Sequence, residues 1–152
     1  MINRVCAYIH NWFTRDKQGN PYQRWTDDFT ITDGAVELPL LDGQYYLIVG
    51  SKLNDGIHKY PSDDLTDETF SGTVYECIIP REVIEISDEI TEWQEANKTA
   101  LLSPYQSESF GGYTYQKGGA SAPSNSQGNG SNWETVFGYR LIPWRKLSDA
   151  RK

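Results

Sequence analysis

The sequence changes period at Pro80, and that change constrains the fold more than any other feature. Upstream, "TVYECII" (residues 73–79) has the β-branched and aromatic content of a strand. Downstream, Val83, Ile86, Ile90 and Trp93 recur at +3, +4, +3, the spacing that aligns one face of a helix. Pro80 suits the start of such a helix, where a missing N–H costs nothing. The spacing predicts a helix over residues 81–100, fraying near Ser103-Pro104. Glu82, Glu85, Glu89 and Glu92 follow the same spacing one residue earlier, so the helix carries an apolar face and an acidic stripe beside it.

The remaining segments sort by the same test. Ile2, Val5, Ile9 and Trp12 share a face, which predicts a helix over residues 2–14, broken by Gly19 and Pro21. Residues 29–79 read as strands: "FTITDGAVEL" alternates around an Asp33-Gly34 turn, and "QYYLIVGSKLNDGIHKY" has two strand-like runs around Asn54-Asp55-Gly56, a hairpin signal. Three to five antiparallel strands are expected. In residues 132–142, Trp133, Phe137 and Leu141, with Trp144 beyond, return to helical spacing. Asn132 is positioned as the N-cap, Glu134 favours the first turn, and Pro143 should end or kink the helix. The expected fold is α+β and mainly α-helical: about three principal helices, a small antiparallel β insertion between the first and second, and an extended aromatic arm before the last. Residues 1–152 form one domain on this reading, with a β subdomain at 27–79 and an aromatic arm with a flexible Gly/Ser-rich loop at 103–131; a length of 152 residues fits that count.

Charge limits the partners. Net charge is −7, unevenly spread: residues 1–26 are net +3, residues 27–95 net −14 and residues 96–152 net +4. An acidic middle disfavours a groove that grips phosphates and suits a surface that DNA passes without sticking. No apolar run reaches membrane-spanning length, and the first residues lack the continuous apolar stretch of a secretory signal, so a cytoplasmic setting without a membrane partner is expected.

Little in the chain suggests catalysis. His10 and His58 are the only histidines, and neither sits in a nucleophile signature with Cys6 or Cys77. The two cysteines lie in apolar-periodic segments and read as buried free thiols, although a disulfide between them stays open. Metal-ligand spacings and phosphate-binding glycine loops are absent from the sequence. Twenty-one acidic residues make some carboxylate pair inevitable, so such a pair carries no signal. The expectation is a protein with no enzymatic activity, cofactor or metal.

"SPYQSESFGGYTYQKGG" (residues 103–119) carries more information. Tyr105, Phe110, Tyr113 and Tyr115 can stack on sugars or bases, pack on the chain's own sheet, or form a strand hinged at Gly111-Gly112 that reaches a partner. The residues themselves leave all three open.

Three stretches carry a resemblance: "GQYYLIVGSKLNDGIHKYP" (43–61), "IIPREVIEISDEITEWQEAN" (78–97) and "SPYQSESFGGYTYQKG" (103–118), together with "WETVFGYRLIPWRKL" (133–147). Over roughly residues 2–147 the chain resembles the head–tail connector proteins (adaptor, or head-completion) of tailed phages and prophages of Gram-positive bacteria. The Ser-Glu-Ser-(apolar)-Gly-x-Tyr-x-Tyr segment is the most specific part. The resemblance implies a ring of about a dozen copies beneath the portal protein, assembled in the bacterial cytoplasm and retained in the virion neck. That ring extends the DNA channel and offers a surface to the next neck protein. On this reading Ser107, Glu108, Ser109, Phe110, Gly111, Gly112, Tyr113 and Tyr115 form an intersubunit or portal-contacting arm, and Glu82, Glu85, Glu89 and Glu92 form a channel-facing stripe that lets DNA slide without sequence-specific binding. The chain departs from the family pattern at Pro143, inside the final helix, and in the long polar loop 118–132. A stopper or tail-completion protein is the nearest alternative, and a carbohydrate-binding module is one of a different class.

Overall fold

A computed structural model describes residues 1–98, 107–110, 113–116 and 132–147. The fold is α+β, with three helices and a four-stranded antiparallel sheet. About 32% of the chain is helix and 27% strand, so the expectation of a mainly helical protein is overturned. Two compact units divide it: one holds Ile2–Arg81 with the segment from Arg145 onward, the other Met1 with Glu82–Trp144.

The first unit opens with helix α1, Ile2–Tyr8. It stops six residues short of the expected Thr14, for a local reason. His10 adopts a left-handed φ of 53°, His10 N–H bonds the Ala7 carbonyl at 3.2 Å, and Asn11 N–H reaches back to the Cys6 carbonyl at 3.0 Å. This paired closure ends a helix with one residue in the left-handed region, here His rather than the usual Gly or Asn. Phe13, at φ 54°, turns the chain again, its N–H held by the Asn11 side chain at 3.1 Å. Ile9 and Trp12 are nonetheless buried, so the spacing located the core residues and misjudged the backbone joining them.

Strands β1 (Arg24–Ile31), β2 (Tyr45–Val49), β3 (Gly56–Lys59) and β4 (Glu68–Cys77) form the sheet in the order β1-β4-β2-β3. One face carries the core cluster: Ile31, Tyr46, Ile48, Phe70 and Val74, covered by Val36, Leu38 and Leu65 from the connections. At the β2–β3 end of the opposite face Leu47, Ile57 and Cys77 are also buried. β2 is therefore apolar on both sides, which explains the continuous run "YYLIV". The Asp33-Gly34 turn forms as expected, both residues at positive φ and Thr32 and Ala35 exchanging hydrogen bonds of 3.0 Å. The Asn54-Asp55-Gly56 signal marks a real hairpin with a different turn. The β2–β3 connection is the six-residue segment 50–55. Asn54 is buried and bridges to residue 66, its amide donating to the Thr66 carbonyl at 2.8 Å and accepting from the Thr66 N–H at 2.7 Å.

The second unit holds α2 (Arg81–Ala96), a two-stranded ribbon of β5 (Ser107–Phe110) and β6 (Tyr113–Gln116), and α3 (Trp133–Leu141). α3 gives way to a 3₁₀ turn at Ile142–Trp144, as Pro143 requires. Asn132 has the extended backbone of an N-cap (φ −94°, ψ 131°), but its side chain makes no capping bond. Trp133, Phe137 and Leu141 are buried, as their spacing predicts.

Candidate functional site

α2 has two unlike faces. Val83, Ile86, Ser87 and Ile90 are buried, whereas Glu82, Glu85, Glu89 and Glu92 are all exposed. The four glutamates are not equivalent. Glu89 accepts a forked pair of bonds from Arg140 of α3, Nη1 to Oε2 at 2.5 Å and Nη2 to Oε1 at 3.0 Å. The Arg140 hydrogen bond holds the Glu89 carboxyl below its ordinary range, and its charge adds to that effect. Trp93 and Phe137 meet edge to face nearby, ring centroids 6.0 Å apart. Glu89 thus belongs partly to the seam between α2 and α3, and Glu82, Glu85 and Glu92 are exposed along the same helix. At the helix end, the Asn97 amide donates to the Trp93 carbonyl at 2.7 Å.

The aromatic segment is a hairpin. β5 and β6 pair antiparallel, with Ser107 opposite Gln116, Glu108 opposite Tyr115, Ser109 opposite Thr114 and Phe110 opposite Tyr113. Gly111 and Gly112 fall between the strands and, with the rest of the arm and loop at 103–131, lie outside the described residues.

The sheet unit contains a cavity of about 330 Å³, lined by Tyr45, His58, Lys59, Ser62, Asp63 and Asp64 among others. Its polar groups serve the fold. His58 Nε2 sits 2.7 Å from the Asn54 carbonyl, and Ser62 Oγ lies between the Tyr46 hydroxyl (2.6 Å) and the Lys59 carbonyl (2.8 Å). No serine–histidine pair is set up there. His10 is exposed at the end of α1. Cys6 and Cys77 are buried free thiols. Burial pushes Cys6 up to about 12, and pushes Cys77 higher still, with the nearby Cys6 charge adding to the effect. Neither is a ready nucleophile. Among the described residues, no group of three or more His, Cys, Asp or Glu side chains is arranged to hold a metal ion, and no helix is long and apolar enough to cross a membrane.

Sequence reasoning missed the polar network that fixes segment 50–55. Glu68 Oε1 accepts from the Ser51 hydroxyl and, at 2.7 Å, from the Asn54 amide. The Ser51 bond leads in holding the Glu68 carboxyl below its ordinary range. The sequence signal available was a Ser and an Asn inside a turn, which also describes an ordinary exposed loop. Comparison with protein-family models, with curated proteins and with solved structures gives no match.

Proposed function

We propose that the chain is a structural neck protein of a tailed phage or prophage: an adaptor that docks on the portal as a ring, completes the DNA-filled head, extends the channel and offers the tail its attachment surface. The observation that carries this reading is the acidic row on α2. Sixteen residues of helix span about 24 Å, and along that length Glu82, Glu85 and Glu92 are exposed while Val83, Ile86 and Ile90, about 100° round the helix, are buried. A rigid row of carboxylates repels a passing polyanion rather than binding it, which suits a channel wall and does not suit a gripping site. The antiparallel pairing of Ser107–Phe110 with Tyr113–Gln116 supports the reading of this segment as an arm that pairs with a neighbour by strand addition.

The test is electron microscopy of a lysate from a phage lacking this gene. Empty or leaking heads beside finished tails of normal length are expected. Intact infectious particles overturn the neck reading.

A further inference from the structure

The two edges of the four-stranded sheet are finished differently. At the β3 edge, Asn3 of α1 closes the backbone as a neighbouring strand would. Its Oδ1 accepts from the Ile57 N–H at 2.5 Å, and its Nδ2 donates to the Ile57 carbonyl at 3.2 Å. Gly56 makes room for this, because a Cβ there would lie 3.0 Å from Asn3 Oδ1. Among the described residues, the β1 edge has no such cover. It is eight residues long and has β4 as its one strand neighbour among the described residues.

The outward groups of β1 can be identified. Glu76 N–H donates to the Gln23 carbonyl at 2.8 Å, which fixes the phase of the β1–β4 ladder. Residues alternate along an antiparallel strand, so Trp25, Asp27, Phe29 and Ile31 exchange bonds with β4, whereas Arg24, Thr26, Asp28 and Thr30 turn their backbone groups outward. Two observations agree. Non-bonded pairs bring side chains closest, and Thr26–Thr73 (2.9 Å), Asp28–Ser71 and Thr30–Thr69 (3.3 Å) touch through their polar atoms. Asp28 N–H, turned away from β4, is taken by the carboxylate of Asp27 at 2.8 Å.

We infer that the outer edge of β1 receives strand β6 of a second copy of this chain, so that copies join head to tail by strand addition. This rests on the reading of the chain as self-assembling. The chain supplies both halves of the contact. Among the described residues the β5–β6 ribbon has two strands, and a two-stranded ribbon is marginal until a third strand or a packed face is added. In a hairpin closed by two residues the flanking pair, here Phe110 and Tyr113, exchanges both hydrogen bonds, leaving Thr114 and Gln116 facing outward. β6 reads Tyr-Thr-Tyr-Gln, and β1 carries Trp25-Thr26 and Phe29-Thr30 on either side of Asp27-Asp28. Four residues of β6 cover four of β1, and an antiparallel register with Thr114 opposite Thr26, both with outward backbone groups, places Tyr115 opposite Trp25 and Tyr113 opposite Asp27. β4 already meets β1 in this way, through the Phe29–Phe70 stack (5.4 Å) and the threonine pairs. Charge selects the strand. Two β1 edges brought together near their centres would oppose Asp27-Asp28 to Asp27-Asp28, whereas β6 carries no charge and β5 carries Glu108. Because donor edge and acceptor edge differ, the contact is heterologous and propagates to a ring or filament.

The test uses the full chain, sedimentation over a range of concentrations, and two proline variants. Thr26→Pro and Thr114→Pro each remove an outward N–H, which an edge strand tolerates without losing a ladder bond. Each should raise the concentration needed for association by on the order of tenfold or more. Thr26→Val, which deletes the hydroxyl and keeps the N–H, should associate like the parent. A mixture of the two proline variants should form a one-to-one heterodimer and nothing larger, because each retains the half the other lacks. Parent-like association of either proline variant overturns the assignment, as does a mixture that stays monomeric. A parent chain that remains monomeric throughout overturns the β1 contact too, and leaves the neck reading to the phage lysate.

Discussion

Arg140 and Glu89 show what one exposed ion pair can and cannot do. The forked geometry is favourable, but both side chains stay well exposed, so the pair orients α2 and α3 more than it stabilises them. Its signature is pH dependence. The folded Glu89 carboxyl is held below its unfolded range, so its contribution is fully present above the unfolded value and is lost as pH falls through the folded one. Arg140→Gln should therefore lower the thermal midpoint slightly at pH 7, and the gap to the parent should close as the solution is acidified below the ordinary carboxylate range. A gap that persists in acid would assign the effect to packing of the arginine stem. The stripe expected from sequence treated four glutamates alike. Spacing gives their common face, but the partner of Glu89 lies 51 residues away, and no local pattern encodes it.

At the scale of the element, α2 was the most legible part of the chain. A proline start, an apolar row and an acidic row are three local signals that agree, and agreement between levels is what makes a segment readable. The structure bears out the helix and the burial of Val83, Ile86 and Ile90. Ile90→Ala should cost about 2–5 kcal/mol in chemical denaturation, because Ile90 is fully buried. Glu82→Lys with Glu92→Lys should stay within about 0.5 kcal/mol per site, since neither carboxylate is buried. A double variant that unfolds would make the acidic row part of the fold. α1 was less legible. Its apolar spacing continues to Trp12 although the helix ends at Tyr8, because a left-handed residue can keep a side chain on the core side while the backbone turns. Periodicity reports which residues are buried before it reports how the chain links them. The sheet was readable as strands. Its order was not, because β4 pairs with β1 across some forty residues of intervening sequence.

For the whole molecule, the uneven charge matters most. The pI is near 4.8, and the net −14 over residues 27–95 falls on the sheet segments and α2. The chain should not retard duplex DNA in a gel at about 0.1 M salt. Retention that weakens steeply with added salt would count against α2 as a repulsive wall. The basic ends, net +3 and net +4, offer a contrasting charge to an acidic partner or a second copy.

The two buried thiols have a practical consequence. Cys6 lies on α1 and Cys77 at the end of β4, both at 4% exposure or less and both well above their ordinary pKa. An alkylating reagent reaches them when the sheet unit opens, so the rate of their modification counts openings of that unit. A cysteine introduced on the surface would take a dye while the native pair stays silent.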